Sequence, residues 1–282
     1  MISFEAHAKI NLSLDVLGKR DDGYHTLQMI MQTIQLHDTI SVYEIPAGVE
    51  IICKAPFVPN NSSNIAYKAA ELILQRYGIK SGVKIEIVKK IPVAAGLAGG
   101  STDAAAVLKG INNMFSLGIE EADLKQLGKT IGADVPYCIM GGTALAEGIG
   151  EKLTALASPG NIPLLLVKPR IGVSTAWVYK NFDLKRVKER PDTQLLISAV
   201  EAGDIRTLAV NMKNVLESVT RQKYPVIENI KNELVKLGAL GSMMSGSGPT
   251  VFGIFEDIEK AQYAFNKLKS SKHECILTQT FN

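Results

Sequence analysis

Ala8, Ile10, Leu12, Leu14 and Val16 alternate with Lys9, Asn11, Ser13 and Asp15. This period of two predicts a half-buried strand, with Lys9 and Asn11 on its polar face. The turn-forming run Gly18-Lys19-Arg20-Asp21-Asp22-Gly23 follows, and Ile40–Ile45 reads as another strand. Apolar residues at 65, 69, 72 and 73 predict a helix over 65–77, with Asn64 as its N-cap and Gly78 as its stop. Val83–Val88 alternates again as a strand. A glycine-rich stretch then leads into the alanine-rich run after Asp103, predicting a strand–loop–helix passage. Ala122–Ile131 reads as a helix stopped by Gly132. The glycines at 141, 142, 148 and 150 predict a region of turns.

After the break at Ser158-Pro159-Gly160-Asn161-Ile162-Pro163, Leu164–Val167 reads as a buried strand. Helical patterns dominate from Thr193 to Leu237. A second glycine loop, Ser245–Pro249, precedes a strand over 250–255, a helix over 258–268 and a last strand over 274–278. The mixture predicts an α+β fold in two domains, 1–157 and 158–282.

Composition narrows the function. Hydrophobic residues make up 46% and charged residues 21% of the 282-residue chain, ordinary values for a globular protein. Thirty-one basic against 28 acidic residues leave +3, with no dense basic block, so no nucleic-acid partner is expected. Cys53, Cys138 and Cys275 are widely spaced and form no zinc-ligand pattern. No signal peptide or membrane-length apolar run is visible, so a cytoplasmic protein without a membrane partner is expected.

The candidate chemistry sits at four places. In the loop Gly96-Leu97-Ala98-Gly99-Gly100-Ser101-Thr102, exposed amides and a following helix N-terminus suit a polyphosphate. Ser101 and Thr102 add hydroxyls that can hold magnesium. The loop is neither GxxxxGK[ST] nor GxGxxG, and a tight turn made only for packing remains the other reading. Asp103 reads as a first-turn cap. Lys9 is either a solvated strand residue or a cation for a transferring phosphoryl group. Asp134 is either the N-cap of a short helix starting at Val135 or a carboxylate that orients a hydroxyl. His25 lies in Asp22-Gly23-Tyr24-His25, and no serine or cysteine pairs with it as in a hydrolase triad.

Three stretches together resemble the motifs of the GHMP kinases: Ala8-Lys9-Ile10-Asn11-Leu12, the segment Pro92–Asp103, and Ser245-Gly246-Ser247-Gly248-Pro249-Thr250-Val251. Asp22–Leu27 and Gly132–Pro136 add to the match. His7 departs from it, standing where the family usually has proline. The resemblance implies the two-domain GHMP kinase fold with its active site between domains, the first binding ATP and the second contributing to the substrate site.

It also implies ATP and Mg2+ as cofactors. The reaction implied is phosphorylation of the 2-hydroxyl of a cytidine diphosphate-linked methylerythritol, in non-mevalonate isoprenoid precursor biosynthesis. Lys9 and Asp134 become the catalytic pair. Pro92, Val93, Ala94, Ala95, Gly96, Leu97, Ala98, Gly99, Gly100, Ser101 and Thr102 become the ATP loop. Asn11, Tyr24, His25 and Tyr179 become substrate contacts, while the metal ligands stay unassigned. Alternatives are a mevalonate- or homoserine-type acceptor, or a non-catalytic nucleotide-binding protein. The expected state is a monomer or weak homodimer.

Overall fold

The computed structural model describes residues 1–269 and 273–281. Two compact units are interleaved along the chain. Unit 1 comprises Met1–Ala8, Leu36–Val93 and Ala98–Gly141; unit 2 comprises Lys9–Gln35, Ala94–Leu97 and Gly142–Asn282. Strands β1 (Ile2–Lys19) and β2 (His25–Ile45) contribute residues to both. The composition break at 158–163 falls within unit 2, in the loop joining β6 (Lys152–Leu156) to β7 (Pro163–Lys168).

In unit 1, β2 pairs antiparallel with β4 (Gly82–Val88), and β4 pairs parallel with β3 (Val49–Cys53). Alternate residues Ile40, Val42, Val83, Ile85 and Ile87 are buried, as one covered sheet face requires. Helices α1 (Ile65–Arg76) and α2 (Gly99–Met114) supply the layer packed with them. Ala66, Ala69 and Ala70 of α1 and Ala104, Ala105 and Ala106 of α2 are buried, and such small side chains let helices lie close together. Asn64 caps α1 as expected, its Oδ1 accepting from Ala66 N at 2.9 Å. Helices α3 (Glu121–Ile131) and α4 (Val135–Met140) complete the unit. Gly128 is required at their contact, because a Cβ there would lie 2.7 Å from Val135 Cγ1.

In unit 2, β2 pairs antiparallel with β5 (Thr143–Gly148), which pairs with β6. The expected region of turns at 141–150 is thus largely strand, because hydrogen bonding to β2 overrides an alanine-rich, glycine-flanked sequence. A four-stranded antiparallel sheet runs β10 (Glu274–Gln279), β7, β9 (Val251–Ile254), β8 (Gly241–Met244). Helices α7 (Ile205–Asn211), α9 (Val226–Lys236) and α10 (Ile258–Leu268) pack against its strands, and α5 (Thr175–Lys180), α6 (Thr193–Glu201) and α8 (Glu217–Lys223) complete the helices of the unit. No helix among the described residues is long and apolar enough to cross a membrane.

Strand β1 is not half-buried. Every residue from Ala8 to Val16 is buried, polar ones included. The polar side chains are held individually: Ser13 Oγ accepts from Ile30 N at 3.1 Å, and Asp15 accepts from Arg190 Nη1 at 2.9 and 3.0 Å.

Candidate functional site

The approach to the glycine loop is built on a buried charge cluster in unit 1. Lys89, just past β4, donates to Asp103 Oδ2 at 2.8 Å and to Asp38 Oδ2. Asp38 Oδ1 accepts from Lys90 N at 2.5 Å and Ile91 N at 2.8 Å, fixing the backbone that enters the loop. Burial opposes the Lys89 charge, but the Asp103 and Asp38 carboxylates outweigh it and hold the ammonium above its ordinary range. Burial dominates at Asp103: its carboxyl is pushed up to about 8 despite Lys89, with Asp38 adding to the rise. Asp103 Oδ1 is buried without a hydrogen-bond partner, which also disfavours the bare anion. Asp103 is therefore not the first-turn cap expected. The helix begins at Gly99, so Asp103 lies beyond the first turn and points inward.

Ala94, Gly96 and Ala98 have φ of 51°, 77° and 58°, left-handed values at alternate positions. Such alternation turns successive amides toward one side, the geometry of an anion-binding nest. An alanine held in this region costs of order 1–3 kcal/mol, so the surroundings must enforce the shape. Gly96 and Leu97 belong to unit 2, and their partners lie within it. Ser245 Oγ donates to Gly96 O at 3.0 Å, Lys9 N donates to Leu97 O at 3.2 Å, and a Cβ on Gly96 would lie 2.4 Å from Ser245 O. Asn214 Nδ2 in turn holds the carbonyls of Met244 and Gly246, at 2.8 and 2.7 Å. Sequence reasoning missed Asn214, Lys89 and Asp38; their partners lie 14 to 53 residues away, beyond any local signal.

Lys9 and Asn11 belong to this part of unit 2. Lys9 is 5% exposed, and its Nζ donates to Asn11 Oδ1 at 2.7 Å. A Cβ placed on Gly246 would lie 3.3 Å from Gly96 O, 3.6 Å from Lys9 Nζ and 3.7 Å from Asn11 Oδ1. Lysine, asparagine and both glycine loops therefore meet within a few ångströms. Lys9 is not a solvated strand residue, and its side-chain partner is a neutral amide. A buried ammonium so placed favours an arriving anion.

Helix α2 opens with no side-chain cap, leaving its first amides open to a ligand. Thr102 is buried, and its Oγ1 donates to His7 O at 2.7 Å, so that proton is already committed; Ser101 is half-buried on the same turn. Asp134 precedes α4 at the N-cap position, yet makes no side-chain capping bond. It adopts a helical φ of −84° and ψ of −13°, unlike the extended backbone of Asn64, and its carboxylate is not used as a cap. Gly132, two residues earlier, would carry a Cβ 4.0 Å from Ser101 Oγ, so the Asp134 turn lies beside the start of α2 within unit 1.

In unit 2, the His25 and Tyr179 rings stack at 5.3 Å and 30°, with Phe182 edge-on to His25 at 6.3 Å. Burial, then the charge of Lys19, hold the His25 imidazole below its ordinary range and so neutral at pH 7. A ring inserted between two others needs centroids about 7 Å apart, twice the van der Waals spacing. At 5.3 Å, His25 and Tyr179 form one platform rather than two separated plates. Tyr24 is 61% exposed and stands outside that stack.

Residues 64–142 match the model of the GHMP kinases N terminal domain, and residues 196–273 match GHMP kinases C terminal. The chain is 61% identical over 279 residues to the 4-diphosphocytidyl-2-C-methyl-D-erythritol kinase of Acetivibrio thermocellus, covering 99% of each. It is 54% identical to the Clostridium kluyveri enzyme of that name, covering 98% of this chain and 99% of that one. A crystal structure of 4-(cytidine 5'-diphospho)-2C-methyl-D-erythritol kinase aligns at TM-score 0.87 and 31% identity over 100% of both chains. Homoserine kinase from Cytophaga hutchinsonii aligns at TM-score 0.76 over 99% and 93%, but at 19% identity that likeness shows the fold alone.

Proposed function

We infer the reaction from one premise: the chain belongs to the GHMP kinase family. It is an ATP-dependent phosphotransferase. The acceptor is the 2-hydroxyl of 4-diphosphocytidyl-2-C-methyl-D-erythritol, and the products are the 2-phosphate and ADP. The 61% identity over 99% of both chains carries this choice of acceptor. The step belongs to isoprenoid precursor biosynthesis.

The roles follow from the side chains. The amides of residues 92–102 and the open start of α2 hold the triphosphate. Lys9, buried against a neutral amide, answers the charge spread over the transferring phosphoryl oxygens. Asp134, free of capping duty, orients the acceptor hydroxyl and takes its proton late, once bonding to phosphorus has acidified it. The neutral His25–Tyr179 platform receives the cytosine face, with Tyr24 at the exposed edge.

The donor set fits Mg2+ only in part. Ser101 offers a hydroxyl beside the nest, and the phosphates with water would supply most ligands. The ion would neutralise charge on the β- and γ-phosphates.

The deciding experiment supplies ATP, Mg2+ and the cytidylyl methylerythritol, follows the product by phosphorus NMR, and runs mevalonate and homoserine in parallel. A new phosphomonoester resonance with the cytidylyl acceptor alone is expected; phosphorylation of mevalonate or homoserine instead overturns the acceptor. Asp134→Ala is expected to fold normally and lose at least ~100-fold in turnover. Near-parental turnover would remove Asp134 from the chemistry.

A further inference from the structure

Unit 1 holds a second group of ligating side chains that the phosphoryl-transfer reaction does not use. Glu5 and His7 lie two residues apart on β1, so they leave the same strand face, and His37 lies on the paired strand β2. Glu5 Oε2 is 3.2 Å from His7 Nε2, and Oε1 is 3.6 Å from His37 Nε2. One ligand atom from each of the three lies within 4.8 Å of the other two. The imidazoles meet edge to face, centroids 5.2 Å apart. Both histidines are largely covered, at 16% and 21% side-chain exposure, while Glu5 at 60% leaves the group open to solvent.

Two readings compete. As a metal-free network, each ring can present an Nε2–H to a different Glu5 oxygen without carrying a charge, and no ion is needed. As a metal site, both rings stay neutral and the single carboxylate completes a three-ligand set. Bonds of about 2.0–2.1 Å in tetrahedral geometry separate ligand atoms by about 3.4 Å. The 3.2 Å between Glu5 Oε2 and His7 Nε2 lies close to that value, and His37, 3.6 Å from the other carboxylate oxygen, keeps a ligand atom within 4.8 Å of both. Two nitrogens and one carboxylate suit an ion of borderline softness, whereas magnesium favours an all-oxygen set.

We propose that Glu5, His7 and His37 bind a divalent transition-metal ion, with Zn2+ the best-fitting, at a site separate from the nucleotide's magnesium. Water fills the remaining coordination position. The site also has a mechanical connection: the His7 carbonyl accepts the Thr102 Oγ1 bond, so an ion clamping His7 stiffens the anchor of the first turns of α2. Its occupancy is independent of which alcohol the enzyme phosphorylates.

The test titrates the full-length protein, without nucleotide and with excess Mg2+, using Co2+ as the visible probe. One equivalent is expected to bind with tetrahedral d–d absorption, and added Zn2+ to displace it. His37→Gln and Glu5→Gln, the second at an exposed position where folding is not at stake, should each weaken binding at least ~10-fold, as loss of a direct ligand costs no less than loss of its support. Circular dichroism and metal-free turnover with Mg2+-ATP should be unchanged in both. No Co2+ uptake by the parent below about 1 mM, an affinity near −4 kcal/mol, or equal uptake by parent and both variants, overturns the site.

Discussion

Lys9 and Lys89 are two nearly buried lysines with opposite surroundings. Lys89, in unit 1, bonds two carboxylates, Asp38 and Asp103, and its charge is neutralised in place. Lys9, in unit 2, bonds the neutral amide of Asn11 at 2.7 Å, and no carboxylate lies within ion-pair distance of it among the described residues. The difference separates two uses of a buried cation. One already surrounded by its counter-charges serves as scaffold. One kept from such neighbours suits the role proposed for Lys9, answering a negatively charged ligand.

Exchanging each lysine for methionine is the strongest way to break this comparison. Lys9→Met is expected to cut turnover by about 10²–10³, the loss typical of one donor aimed at developing charge. Its unfolding free energy should stay within about 1 kcal/mol of the parent. Lys89→Met should do the reverse, removing about 3–5 kcal/mol of stability by taking from buried Asp38 and Asp103 the cation they share. Urea unfolding alongside initial rates checks both; a Lys9 variant that unfolds early yet turns over normally would merge the two classes.

Tyr179→Ala extends the contrast to a neutral part of unit 2. Losing one stacking face is worth roughly 1–3 kcal/mol. At tenfold per 1.4 kcal/mol, KM for the cytidylyl acceptor should rise about five- to 150-fold while KM for ATP holds. Equal shifts in both constants would count against a cytosine platform. Tyr24→Ala should follow the same split with a smaller rise, since its ring is mostly exposed.

The scaffold side is sharpened by pH. With its carboxyl pushed up to about 8, Asp103 binds a proton more tightly folded than unfolded. That contribution is complete below the ordinary carboxylate range and is lost as pH rises through about 8. Asp103→Asn removes the titration. The parent should therefore lose unfolding free energy relative to the variant between pH 5 and pH 8 and run parallel to it above, as read by denaturant melts; superimposable profiles would show that Asp103 does not titrate in that range.

What the amino-acid order revealed depended on how local each feature was. Helix α1 was readable because Asn64 and Gly78 bracket it with their own chemistry. The glycine loop and Lys9 were readable as motifs. Strand β5 was hidden: Thr143-Ala-Leu-Ala-Glu-Gly has little strand preference of its own and forms by pairing with Leu27–Gln32, more than 100 residues earlier. Alternation in β1 suggested one wet face, yet Ser13 and Asp15 are satisfied by the Ile30 amide and by Arg190, partners no short window contains. At Asp134 the local sequence favoured a helix cap; the backbone angles and the missing capping bond show that its side chain does not cap α4.

The interleaving of the two units has a consequence for cutting and rejoining the gene. Because β1 and β2 each hand residues to both units, and residues 94–97 lie in the second between stretches of the first, no one break in the polypeptide separates the units: a cut after Gly141 keeps all of unit 1 together but strips unit 2 of residues 9–35 and 94–97. Proteolytic nicking, split-reporter designs and modular shuffling with a homologue all face the same obstacle: the N-terminal piece would leave with strand residues that the second unit still needs.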